Sequence, residues 1–375
     1  MVKKTKSGSK GLGIFNILVL IFNIIVLAAL LLSYLAVHVS PEKNHLLPFF
    51  GLVYPYLVLI NLFFMIYWMF RRRWLFVLSF IGVFAGWNHI SRTFQVGGGD
   101  SGLTIQNQFK VITYNVKNLS NDNVDMLEPS VRNKIVSFLE MENADLVCMQ
   151  EFAVVHPDPD AFIDSLSVVL DLPYHAHSLY HTKPRRLMDA ISIFTRFPIL
   201  REGPINKDYL HNYGLYADIY TGKDTIRIVN VHLESIRLKH EDYKFISKFD
   251  LQFEEDENVK ESSKRIFNKL SIAYETRAMQ VDTLVSFLKT SPYPVILCGD
   301  FNDTPNSYTY QQLSSRLEDA FIESGKGFGN TYVGNLPSFR IDYILYDDRF
   351  IARDYTRLPV RYSDHYPISC WFGLR

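Results

Sequence analysis

"PVILCGDFNDTPNS", residues 294–307, decides the fold. An apolar run, Val295 to Cys298, stops at Gly299, and Asp300, Asn302 and Asp303 follow, with Pro305 just behind. The run reads as a buried strand. One strand running into an Asp/Asn turn is ordinary. The meaning comes from repetition. "VITYNVKNL" delivers Asn115, "ADLVCMQE" delivers Glu151, and "IVNVHLES" delivers Asn230 and His232. "FRIDYIL" places Asp342 inside an apolar strand, and "YSDHYPI" sets Asp364 and His365 before a final apolar strand. Endings this rich in Asn, Asp, Glu and His point to one cleft shared along an edge of two sheets.

These residue types suit the hydrolysis of a phosphate ester. That reaction needs a hard cation held by oxygen ligands, which carboxylates and amides supply. It also needs a group to activate water and donors for charge developing on the phosphoryl oxygens. A His paired with an Asp is such a charged donor.

In this order, "QE", "GDFN" and the terminal "SDH" resemble the endonuclease/exonuclease/phosphatase superfamily, from about Lys110 to the C-terminus. The resemblance implies an α/β (α+β) fold, a four-layer sandwich of two β-sheets flanked by helices. It implies Asn115 and Glu151 at a Mg²⁺ site with Asp364 beside it, the same donors also suiting Mn²⁺ or Ca²⁺. It implies Asp300 as the carboxylate that orients or deprotonates water, and Asn302 as the amide that steadies water and phosphate. His365 resembles the His that contacts a phosphoryl oxygen, Asp342 its orienting carboxylate, and His232 a second phosphate-contacting His supported by Asn230. Arg277 and Gln280, in "TRAMQ", resemble a helix closing the cleft and read as structural. Asp189, which opens the strand-like run "DAISIFT", stands where relatives often carry Asn or Gly. Lys117 stands where abasic-site enzymes carry a further Asp, a departure from that branch.

The first hundred residues differ in kind. Ile14–Val37 is an apolar run long enough to cross about 30 Å of hydrocarbon. Leu46–Phe70 and Trp74–Ile90 are two more. Three transmembrane helices over residues 1–90 are therefore expected, then a linker over 91–108 containing "GGGDSG", then a catalytic domain over 109–375. Lys3, Lys4, Lys6, Lys10 and the Arg71–Arg73 triplet place the N-terminus in the cytoplasm by the positive-inside rule. Three spans then carry the domain to the extracytoplasmic side, the periplasmic face of the inner membrane in a bacterium. A signal peptide is the rival reading of the first run, which is too long for an h-region. Asn23, Pro55 and Asn61 within the runs read as helix-packing residues.

The chain is neutral overall, with 39 basic and 39 acidic residues. Residues 1–100 hold nine Lys/Arg and two acids, which leaves 30 basic and 37 acidic residues beyond, net −7. That is a poor footprint for non-specific DNA binding. Cys148, Cys298 and Cys370 all lie in apolar stretches and read as core thiols. Helices are expected over Pro129–Glu142 and Tyr274–Lys289. The connection Ile236–Glu275 reads either as an extra amphipathic helix or as a lid that selects substrate or dips into a bilayer.

The sequence therefore describes a membrane-anchored, metal-dependent phosphoesterase that hydrolyses a phosphodiester. The substrate is a phospholipid or sphingolipid head group or a nucleic acid, and no protein partner is indicated. The alternatives are an extracytoplasmic endonuclease and a non-catalytic binding module that keeps the fold.

Overall fold

The computed structural model describes residues 13–97, 107–119, 129–155, 159–182, 187–206, 213–249, 257–334 and 336–375. The Lys cluster before Gly11, most of "GGGDSG" and Phe253 lie outside the described residues.

The N-terminal part is helical: α1 (Ile14–Ala36), α2 (Leu47–Leu52), α3 (Tyr54–Phe70), α4 (Phe76–Ala85) and α5 (Trp87–Thr93). Among the described residues only α1, with 23 residues, is long and apolar enough to cross a membrane. This corrects the expectation of three spans. The second run breaks at Val53, because Pro55 lacks an N–H and its fixed φ suits the first turn of a new helix. The third run breaks at Gly86, where Tyr34 packs into the space a Cβ would fill. The residues expected to begin the linker lie inside α5.

The helices are joined by buried polar contacts. Asn23 donates to Ser79 Oγ at 2.8 Å, Ser79 donates to Asn61 Oδ1 at 3.2 Å, and Trp68 Nε1 donates to Asn23 Oδ1 at 3.0 Å. All four side chains are fully buried. Asn23 and Asn61 thus serve helix packing.

After β1 (Phe109–Asn115) and a 3-10 turn at Lys117–Leu119 come α6 (Pro129–Glu142), β2 (Leu146–Val155) and α7 (Pro159–Val169). Then follow β3 (Tyr174–Thr182), β4 (Leu187–Thr195), β5 (Ile199–Pro204), β6 (Gly214–Tyr220) and β7 (Thr225–His232). The chain continues with α8 (His240–Phe249), α9 (Glu257–Lys289), β8 (Val295–Asp300), α10 (Tyr308–Ser314), β9 (Glu318–Asp319) and α11 (Ala320–Ser324). It ends with β10 (Asp342–Tyr346), β11 (Phe350–Arg357) and β12 (Ile368–Leu374).

The strands form two six-stranded sheets, ordered β11-β12-β1-β2-β4-β3 and β5-β6-β7-β8-β10-β9. Central strands are covered on both faces, which is why β1 and β8 read as unbroken apolar runs. Between the sheets lies a core that includes Val111, Ile228, Ile344 and all three cysteines. Burying a side chain of this kind contributes about 1.5–3 kcal/mol. The first sheet packs its other face on α6 and α7, and the second on α9 and α10. The result is four layers: helices, sheet, sheet, helices.

At the middle of each sheet two parallel strands run side by side, β1 with β2 and β7 with β8. Their C-terminal ends meet at one end of the sandwich. In an α/β sheet that end is where ligands bind.

Candidate active site

Register brings the strand-end residues together. Asn115 pairs across from Gln150, and His232 and Asp342 both pair across from Asp300. Pairing of β2 with β4 shifts between Met149 and Phe152, and Glu151 sits at φ 48 within that shift. This bulge re-aims Glu151 toward the cleft, a strained arrangement of the kind found at functional sites. Gly299 has φ 139, and a Cβ there would collide with the Val231 backbone. Only glycine lets β8 lie this close to β7 just before Asp300.

The geometry is tight. Asn115 Nδ2 donates to Asp300 Oδ2 at 3.0 Å and to Glu151 Oε1 at 3.2 Å. Asp300 Oδ1 accepts the Asn302 backbone N–H at 2.7 Å, and Asn302 Nδ2 donates to the Leu233 carbonyl at 3.0 Å. His365 Nδ1 lies 2.9 Å from Asp342 Oδ2, with its Nε2 3.7 Å from Asp300 Oδ2. His232 Nε2 lies 3.4 Å from Glu151 Oε1 and 3.8 Å from Asp300 Oδ2. Asp364 sits at the rim, 3.3 Å from Lys117 Nζ.

The expected site residues therefore meet in one place, with one exception. Asn230 is fully buried two positions before the strand end. It donates to the carbonyls of Met149 (3.0 Å) and Ser192 (2.8 Å), and accepts from Gln150 Nε2 at 2.6 Å. It stitches the two sheets together beneath the cleft. Arg277 and Gln280 are also tied to framework: Arg277 to the Glu234 carbonyl and Asp303, Gln280 to the Glu234 backbone N–H.

Burial pushes the Asp300 carboxyl up to about 6, and the neighbouring Asp342 adds to this, while His365 and His232 oppose it. Burial alone would lower His365, but Asp342 and Asp300 lift it to about 10. The His365 ring is therefore cationic at neutral pH.

Glu151, Asp300, Asp342 and Asp364 crowd carboxylates into the cleft, and the buried Asp342 Oδ1 has no hydrogen-bond partner among the described residues. Asn115 adds an amide. Oxygen donors with surplus negative charge fit a hard divalent cation. Asp300, Asp342 and His365 also present ligand atoms within 4.8 Å of one another. The close bond of His365 Nδ1 to Asp342 marks that pair as a hydrogen-bonded ion pair.

Lys117, Tyr243 and Tyr332 complete the surroundings, and no motif pointed to the two tyrosines as part of the site. Lys117 counters Asp364. The Tyr332 ring meets His365 edge-on, centroids 5.5 Å apart, and Tyr332 and Tyr243 of α8 line the same cavity. The one legible signal was the charge reversal at Lys117.

A two-sheet α/β sandwich with an acidic, His-containing cleft at the ends of its central strands defines the class. Residues 112–365 match the endonuclease/exonuclease/phosphatase family, and the chain belongs to it. Residues 16–93 match a family described only as a domain of unknown function. No curated protein matches the chain. A family protein of known structure from Leptotrichia buccalis C-1013-b is 15% identical, with a TM-score of 0.51 over 71% of this chain and 100% of that one. The human Nocturnin catalytic domain with bound sulfate anion is 17% identical, with a TM-score of 0.48 over 73% of this chain and 97% of that one. D. rerio TDP2 complexed with single strand DNA product is 16% identical, with a TM-score of 0.49 over 72% and 100%.

Proposed function

We propose that this protein is a membrane-anchored, divalent-cation-dependent phosphoesterase that hydrolyses a phosphodiester. The observation that carries the reading is the convergence of Asn115, Glu151, His232, Asp300, Asn302 and the His365–Asp342 pair on one point. Glu151 and Asn115, with Asp364 beside them, would hold the cation, and Mg²⁺, Mn²⁺ or Ca²⁺ each suit these donors. When bound, it supplies Lewis-acid polarisation of a phosphoryl oxygen.

The chain's own groups do the rest. Asp300, fixed by the Asn302 N–H and the Asn115 amide, orients water and takes its proton. The water oxygen bonds to phosphorus as the bond from phosphorus to the leaving oxygen breaks, and that oxygen takes a proton from solvent. Cationic His365, held by Asp342, donates to a phosphoryl oxygen as charge develops there. His232 offers a second contact.

Membrane attachment rests on α1 and on the many large apolar side chains that α1, α3 and α4 leave exposed, among them Leu18, Phe22, Leu59, Phe63 and Ile81. The Asn23–Ser79–Asn61–Trp68 contacts favour retention of α1 over its removal as a signal. Cleavage would leave the Trp68 N–H without its acceptor and Ser79 Oγ without its donor inside an apolar bundle. With α1 as the single full span and its basic flank cytoplasmic, the domain lies outside the cytoplasm.

The test is release of p-nitrophenolate from bis(p-nitrophenyl) phosphate by the full chain, with Mg²⁺, with Mn²⁺ and with EDTA. Cation-dependent turnover that disappears in Asp300→Asn is expected. No turnover with any cation would leave the binding-module reading standing. An alkaline carbonate wash that fails to extract the protein checks the anchor.

A further inference from the structure

A cavity of about 430 Å³ opens from the candidate active site, within the range of small-molecule pockets. Its floor is polar: Glu151, Asp300, Asp364 and His365. Its walls are apolar and come from three separate places. Leu52 and Val53 stand at the junction of α2 and α3, Leu238 and Ile246 in the stretch carrying α8, and Ile266 and Leu270 on the first half of α9.

The N-terminal helices are seated on the catalytic domain rather than tethered beside it. A Cβ on Gly51 would collide with the Asn306 carbonyl, so α2 lies directly on the loop after Asp300. Phe49 stacks on Phe267 at 4.7 Å. His89 Nδ1 lies 2.9 Å from Asn306 Oδ1, and Arg92 donates to Gln311 at 2.7 Å. Val53 and Tyr56 line the cavity and are themselves exposed, and they lead along α3 to the exposed Leu59, Ile60 and Phe63. The arginines at the cavity, Arg237 and Arg277, are committed to Glu234 and Asp303. A nucleic-acid strand needs a cationic groove tracking several phosphates. This cavity offers one phosphate-sized polar floor under an apolar chamber.

We infer that the cavity is an aliphatic-chain subsite, so that the substrate is a phosphoester of an amphiphile whose chain reaches the cavity from the bilayer side. The N-terminal helices and the α8–α9 insertion then form part of the substrate site. This rests on the phosphoesterase reading of the floor.

The experiment uses the full chain in nanodiscs with Mg²⁺ and two probes with the same leaving group, methyl p-nitrophenyl phosphate and hexadecyl p-nitrophenyl phosphate. Each buried methylene is worth about 4-fold, so wild-type kcat/KM should favour the hexadecyl ester by about 10-fold or more even with part of the chain seated. Leu52→Gln, Ile246→Gln and Leu270→Gln, one from each wall, should each erode that preference while methyl-ester turnover stays at the wild-type level. Melting curves identify any variant that fails to fold, and the other two then carry the result. Equal rates on both esters, or a preference untouched by all folded variants, overturn the subsite and leave the phosphoesterase reading intact. Faster cleavage of a single-stranded oligonucleotide than of the hexadecyl ester also overturns it. If neither ester is cleaved, the phosphoesterase reading fails. Calorimetry with hexadecylphosphonate and methylphosphonate then decides the subsite: tighter binding of the long chain, weakened in the wall variants, supports it, and equal binding overturns it.

Discussion

The polar side chains that crowd the end of β8 each answer to a different partner. Asp300 belongs to the cleft, and Asn302 braces it through its own N–H. Asp303 is buried and accepts from Arg277 and Thr309. Asn306 meets His89 of α5, and Ser307 caps α10 by accepting from the Tyr310 N–H. The motif spacing made the first two legible. The others were not, because their partners lie far away in sequence. The same division separates Asn230 from its neighbours. His365→Ala, Asp300→Ala and Glu151→Ala should each lower phosphodiester turnover by about 10²–10³-fold or more with little change in melting temperature, since each removes a charge aimed into the cleft. Asn230→Ala should do the reverse first: taking one acceptor from the Gln150 amide and the donor from two buried carbonyls costs about 1–3 kcal/mol, read as a lower melting temperature. Parallel melting and turnover measurements separate the two classes.

At the scale of elements, strands buried on both faces announced themselves as apolar runs, and β1, β2, β4, β7, β8, β10 and β12 were legible. Strands β3, β5, β6, β9 and β11 were not. Four of these, all but β6, lie at sheet edges, where one side faces solvent and the pattern thins. Edge strand β5, for instance, exposes Leu200, Arg201 and Glu202. The helix over Pro129–Glu142 was read with its observed limits, but α9 starts at Glu257, well before Tyr274, because its first half is charged on most of its surface. What holds α8 to that half is ionic. Asp242 is buried and accepts from Lys269 at 2.6 Å and from Arg265 at 2.8 Å. Burial raises its carboxyl, but hydrogen bonds from Lys269, the Lys239 N–H and Arg265 outweigh this and hold it down at about 2, below the ordinary 3.8. A depressed folded-state value stabilises above the unfolded one and is lost as pH falls through the folded one. The melting-temperature gap between wild type and Asp242→Asn should therefore be full above pH about 4 and close as pH approaches about 2. A gap unchanged across that window would show that the carboxylate's charge does not hold α8.

At the scale of the molecule, the apolar character of the first hundred residues was legible, but their seating on the two-sheet part of the chain was not. Hydropathy reports what a segment avoids, not where it docks. Gly51 lies against the Asn306 carbonyl, and Gly51→Val should force α2 off it, an overpacking that costs about 1–3 kcal/mol. Amide exchange should then quicken across residues 303–307 and α2 while β1 and β8 keep their protection. Unchanged exchange in that loop would mean the contact bears no strain.

The clamp on Asn306 from Gly51, His89 and Thr93 has a kinetic meaning as well. A catalyst mounted this way on helices embedded in a bilayer does not sweep through bulk solution on a leash. Under the proposed anchor and aliphatic-chain subsite, its encounters with substrate are collisions in a plane, governed by lateral diffusion. Its velocity then follows the mole fraction of substrate in the surface, falls when inert lipid is added at constant bulk concentration, and ignores dilution of the whole vesicle suspension.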